Sequence, residues 1–251
     1  MNPAQQHCFD LVRSHDKDRF LATLFAPESQ QPHLLALYAF SLEVARIRHV
    51  VSEPQIGLIR LQWWRDTLDA IYDGTAAGHP VAEALAAAIA AGNLPKQPLQ
   101  DLVTAHEFDL FADPMPDITT LEAYLGETNS ALIQLAAMLL DPVGARGAAE
   151  AAGLAGVAHG LTMVLSDPAR RGQYLPSGMT VTAAIAHARR RLAEARALLP
   201  HLNAGVRPAF LSVGLTDLYL RRIERSPDQP LAVTQFRRQL TLWYHARRDS
   251  F

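Results

Sequence analysis

Asp66, Asp69 and Asp73 stand at i, i+3 and i+7, a spacing that gathers carboxylates on one helical face. Carboxylates gathered this way can hold magnesium, which prefers hard oxygen ligands. Their direction follows from turning about 100° per residue from Trp64. Leu61, Leu68 and Ile71 then fall within about 60° of Trp64, and the three aspartates fall roughly opposite. The set is expected to face water. Arg60 falls about 40° from Trp64, beside the apolar face, where a guanidinium needs either an ion pair or a polar cavity. Both readings of Arg60 stay open.

Arginine pairs recur late in the chain: Arg170/Arg171, Arg221/Arg222, Arg237/Arg238 and Arg247/Arg248. Residues 1–167 carry 9 Lys and Arg against 20 Asp and Glu, whereas residues 168–251 carry 14 against 5. One reading is a solvated surface whose charges pair with the acidic part. The other is attraction to an anionic membrane face, a diphosphate or an acidic partner. Nucleic acid is not expected, because the net charge of the whole chain is -2 and no nucleic-acid-binding motif is present. Dinucleotide, P-loop, zinc-protease and serine-hydrolase signatures are also absent. Cys8 stands alone, which excludes an intramolecular disulfide framework and implies a reducing compartment. His159 and His187 read as core or surface residues rather than metal ligands.

The elements that must position these residues are helices. Apolar residues recur at helical spacing near 3–14, 31–51, 55–73, 80–91, 97–111, 119–140, 147–166, 180–199, 205–224 and 231–247. Pro- and Gly-containing breaks separate them, as at 92–98, 112–117, 140–144, 175–178 and 226–230. Short connections between amphipathic helices predict an all-α, single-domain bundle over residues 1–251. Hydrophobic residues make up 49% of the 251, enough for a substantial core. The start lacks a basic segment followed by an apolar one, and the alanine-rich run at 81–92 is too short to span a bilayer, so a soluble protein is expected.

Several segments together resemble the squalene/phytoene synthase family. They are DRFLATLFAP (18–27), LLALYAFSLEVARIR (34–48), EPQIGLIRLQWWRDTLDAIYDG (53–74), HEFDLF (106–111), LEAYLGETNSALIQLA (121–136) and GLAGVAHGLTMVLSDPARRGQYLP (153–176). The likeness covers roughly residues 14–180 and rests on order and spacing. It implies the all-α isoprenoid (terpenoid) synthase fold. Active members join two prenyl diphosphates head to head, and two aspartate-rich segments hold the magnesium that ionises the diphosphate. Metal cations must neutralise so charged a leaving group, and carboxylates must hold the metals.

The resemblance also shows where this chain departs. Ala45, Arg46 and His49 occupy positions where active relatives carry an Asp-Asp pair and a third Asp. Met163 replaces a metal-contacting Asn, Asp167 survives, and the acidic stretch after it is missing, because Pro168-Ala169-Arg170-Arg171-Gly172 follows at once. One carboxylate does not hold a magnesium cluster. An Arg46 facing the cavity would add a repulsion of several kcal/mol at roughly 5 Å and an effective dielectric near 20. The resemblance therefore implies no catalytic residue, no metal and no cofactor. Arg46, Arg60, Arg170, Arg171 and Tyr174 remain as contacts for a prenyl diphosphate or lipid ligand, or as structural partners of acids such as Glu43 and Asp167.

Within the family, FSLEVARIR, SEPQIGLIRLQWWRD and the acid-poor second segment are most similar to the branch containing a mitochondrial complex I assembly factor. That likeness implies a pseudoenzyme whose partners are complex I subunits or assembly proteins. It would lie in the cytoplasm, with contact at the inner membrane, or in the matrix of a mitochondrion. The alternative is an active prenyl transferase with rearranged magnesium ligands, drawing on Asp167, Glu107 and Asp109.

Overall fold

Several helices begin where a side chain accepts from an orphan N–H group. In the computed structural model, which describes residues 1–75 and 78–248, Asn2 and Gln5 form a capping box on α1 (Pro3–His15). Asp16 caps α2 (Lys17–Thr23) and Asp117 caps α7 (Ile118–Leu125). Asp167 caps α10 (Pro168–Tyr174) and Thr180 caps α11 (Val181–Leu198). Proline opens α3 (Gln31–Val50), α4 (Pro54–Tyr72) and α5 (Pro80–Gly92), where its missing N–H costs nothing. The remaining α-helices are α6 (Lys96–Ala105), α8 (Ala131–Leu140), α9 (Ala149–Ser166), α12 (Thr216–Arg225) and α13 (Gln235–Arg248). Among the described residues there is no strand, and no helix is long and apolar enough to cross a membrane.

The hydrophobic pattern reads most of these elements directly, with four differences. The pattern over 119–140 is one helical path interrupted by a π-helical turn, Gly126–Ser130. The pattern over 97–111 stops at Ala105, and Phe108–Leu110 continues as a single 3₁₀ turn. Residues 204–215 form a 3₁₀ segment rather than the start of α12. Pro208 lies inside it, and its ring and missing N–H oppose regular α-helical bonding. Finally, α2 and α10 are short helices that the periodic pattern does not announce.

The core divides around α9, which is buried along most of its length. On one side, α1, α3, α5 and α8 pack through Leu34, Leu37, Phe40, Leu85, Leu132 and Leu135. On the other, α7, α11 and α12 pack against Leu161, Val164 and Leu165. Gly156 and Gly160 let α9 approach the π-helical turn closely. A Cβ at Gly156 would overlap the backbone N and Cα of Ser130. Alanine favours a helix interior by about 1 kcal/mol over glycine, but overpacking against backbone costs about 1–3 kcal/mol. Gly156→Ala is therefore expected to lower the thermal midpoint; an unchanged or raised midpoint would show that the turn yields freely.

Candidate functional site

A cavity of about 520 Å³ opens between α2, α3, the π-helical turn, α9, α10 and α13. Its wall mixes cations with apolar side chains: Lys17, Arg19, Arg170 and Arg238 alongside Leu42, Leu125 and Val164. Two carboxylates offset part of the charge. Asp16 pairs with Arg19 at 3.0 Å, and Asp18 accepts from the Tyr219 hydroxyl at 2.6 Å and pairs with Arg238 at 3.4 Å. Burial pushes the Asp18 carboxyl above its usual range despite these partners. His159, buried on the α9 wall, is held down to about pKa 4 by burial and then by Arg19. The sequence pattern gives it only as a core or surface residue; the fold puts it on the cavity lining.

Behind the wall lies a buried polar cluster that the spacing of apolar residues does not reveal. Asp109 accepts from Tyr124 at 2.8 Å and from Tyr174 at 2.5 Å on one oxygen, and its other oxygen meets His106 Nδ1 at 2.7 Å. Arg48 donates to the Tyr174 hydroxyl at 2.7 Å. Burial alone would raise the Asp109 pKa. The bonds from His106, Tyr174 and Tyr124, with the His106 charge, outweigh it and hold the carboxyl below its usual range. His106 and Tyr124 also line the cavity, so the cluster fixes part of its wall.

The residues singled out by sequence separate into three places. Ala45, Met163 and Arg170 line the cavity. His49 is exposed nearby, and burial followed by the charges of Arg48 and Arg170 lowers its pKa. Asp167 ends α9 and caps α10 by accepting from Ala169 N at 3.0 Å. Arg170 stacks 4.8 Å over the Tyr174 ring, and its Nε is buried with no hydrogen-bond partner among the described residues.

Arg46 corrects the expectation that it faces the cavity. Ala45 takes that direction, and the next residue is turned about 100° away. Arg46 instead lines a second groove, of about 300 Å³, with Arg60, Trp63, Trp64 and His79, and it sits 4.0 Å from Glu43. Arg60 is exposed at this groove rather than at the cavity. Arg171 turns to the C-terminal end of α9, donating from Nε and Nη2 to the Leu165 carbonyl at 3.0 and 2.5 Å. Tyr174 is fully buried, with its hydroxyl committed to Asp109 and Arg48.

The other acidic sets are also dispersed. Asp69 pairs with Lys96 at 2.7 Å, Asp66 accepts from Gln62 at 2.7 Å, and Glu107 pairs with Arg65. Among the described residues no three His, Cys, Asp or Glu side chains gather as a metal site would require. Cys8 is buried, and burial pushes its thiol up to about 12, which suits a core residue rather than a nucleophile.

Known proteins match this arrangement at two levels. The sequence model of the squalene/phytoene synthase family matches residues 12–180. A Bos taurus protein named NADH dehydrogenase (ubiquinone) complex I, assembly factor 6 is 35% identical over 135 residues, covering 54% of this chain and 40% of that protein. The Rattus norvegicus protein of the same name is 29% identical over 247 residues, covering 87% and 73%. This chain thus matches less than half the length of the bovine relative. In structure, it is similar to a dehydrosqualene synthase solved with a ligand, at a TM-score of 0.81 and 18% identity, covering 98% of this chain and 95% of the other. It is also similar to squalene synthase HpnC from Alicyclobacillus acidocaldarius, at 0.73 and 21%, covering 91% and 95%. Those identities speak for the all-α terpenoid synthase fold alone. The family match covers well over half the sequence, and the chain belongs to the squalene/phytoene synthase family.

Proposed function

We propose that this chain is a non-catalytic member of its family that serves as an accessory or assembly factor for respiratory complex I. The observation that carries the reading is the chemistry of the side chains at and beside the cavity. Where the family resemblance places metal ligands, this chain presents the methyl of Ala45, the imidazole of His49 and the thioether of Met163. Magnesium takes oxygen ligands in near-octahedral geometry, so this set does not fit a magnesium–diphosphate cluster. Asp167 supplies one carboxylate, already engaged as a helix cap. Glu107 and Asp109, the other carboxylates a rearranged site would need, are committed to Arg65 and to the buried cluster.

The curated relatives support the direction of the reading, since they carry the name of a complex I assembly factor. Partners would then be complex I subunits or other assembly proteins. The cavity keeps a binding role: its cations suit an anionic headgroup and its apolar side chains suit a prenyl or acyl chain.

Deleting the gene in its own host and measuring NADH dehydrogenase activity and the amount of assembled complex tests the role. We expect both to fall and to be restored equally by the wild-type chain and by Asp167→Asn. Pure protein given farnesyl or geranylgeranyl diphosphate with excess Mg²⁺ is expected to release no diphosphate, beside an intact squalene or phytoene synthase as control. Steady release abolished by Asp167→Asn would restore the transferase reading. Normal complex I in the deletion strain would remove the assembly reading.

A further inference from the structure

Helix α13 presents an apolar stripe that no other element covers among the described residues. Phe236, Leu240 and Trp243 recur at i, i+4 and i+7, within about 60° of one another round the helix. They are 71%, 52% and 48% exposed. The opposite side of α13 faces the body, where Leu242 is buried and Arg238 reaches Asp18. Among the described residues the stripe is thus an unpartnered outer face.

The side of α13 next to the stripe is strongly basic. Between α12 and α13 runs a groove of about 550 Å³ lined by Arg221, Arg222, Arg225 and Arg237. All four are exposed. Arg247 and Arg248 lie 4.8 and 4.5 Å over the rings of Trp243 and Tyr244, holding guanidinium groups at the level of the aromatic side chains. Residues 168–251, which include both helices, carry 14 Lys and Arg against 5 Asp and Glu.

We propose that α13, flanked by the α12–α13 arginine groove, is the surface by which the protein lies on an anionic lipid bilayer. A convex helix face with aromatic and aliphatic side chains at helical spacing suits the plane of a membrane interface, while a partner helix would call for a concave apolar groove. Trp and Tyr rings settle at headgroup depth, and arginines beside them meet lipid phosphates. The helix is too polar to cross the bilayer, so it rests on it. Nucleic acid would make use of the cations but leave the apolar stripe exposed. The proposal stands apart from the complex I role, since an assembly factor need not touch lipid.

The test is sedimentation of the full chain with vesicles of phosphatidylcholine alone and of phosphatidylcholine with phosphatidylglycerol. Binding to the anionic vesicles only, weakening with salt, is expected, with a blue shift of tryptophan emission that Trp243→Phe removes. Arg221→Gln with Arg222→Gln and Arg225→Gln should reduce partitioning on the order of a hundredfold. Phe236→Ser with Leu240→Ser and Trp243→Ser should keep the salt dependence but weaken binding at least tenfold, as three interfacial side chains leave the bilayer. These side chains are exposed, so helix content and thermal midpoint should hold in both variants. Absence of binding to anionic vesicles would overturn the proposal. So would binding untouched by either set of substitutions, or equal binding to neutral vesicles.

Discussion

Asp109→Ala is expected to destabilise the protein by about 3–5 kcal/mol, the scale for removing one partner of a buried, hydrogen-bonded charge. Asp109 is 6% exposed and receives three side chains: Tyr124, Tyr174 and His106. Alanine would leave all three polar groups facing a void, each having lost the partner that offset its desolvation. Urea denaturation measures the loss, and Asp109→Asn, which keeps the shape and one acceptor oxygen, should lose less. The sign of the pH dependence follows from the depressed folded pKa of Asp109. Its contribution is complete above the ordinary aspartate value of 3.8 and disappears as pH falls through the lower folded value. The variants should therefore lose the part of the acid limb that lies below about pH 4. A loss under 1 kcal/mol in Asp109→Ala would mean that the cluster is better hydrated than its burial indicates.

His159 should govern a separate window. Its folded pKa is held down to about 4 against an ordinary 6.5, so the unfolded chain binds the proton more readily. Stability present above pH 6.5 is then lost as pH falls towards 4, by about 3 kcal/mol over that interval. His159→Gln removes the ionisable group and should flatten this slope, whatever it does to stability at pH 7. Denaturation of both proteins at neutral pH and near pH 4.5 checks it. Equal slopes would show that the imidazole meets enough water in the cavity to protonate normally.

Much of the helical framework is legible because α3, α4, α5, α8, α9 and α11 carry long apolar periods. Leu61, Trp64, Leu68 and Ile71 are buried on α4 as the angle count predicts. The short helices α2 and α10 escape because seven residues offer scarcely two turns of pattern. Their capping aspartates, Asp16 and Asp167, are the local signal that marks them. The π-helical turn is invisible for another reason: it packs against Gly156 and Gly160 on α9, which stand far along the chain.

At the site, Ala45, Met163 and Arg170 line the cavity. Arg46 does not, because a motif aligned by position says nothing about the 100° between neighbours. Tyr174 and Asp109 belong to a buried cluster whose members, from Arg48 to Tyr174, are up to 126 positions apart. Such long-range polar pairing leaves no periodic trace.

The placement of α13 has one more consequence. Its inner side lends Arg238 to the cavity wall, and its outer side meets solvent, so a single helix about 10 Å thick separates the two. Leu242 is the one α13 side chain fully buried among the described residues. Arg238 adds an ion pair to Asp18 and a contact over the Tyr219 ring, so α13 rests on few anchors compared with α9, and local opening draws on far less free energy than global unfolding. Hydrogen exchange should find the α13 amides opening well before those of α9.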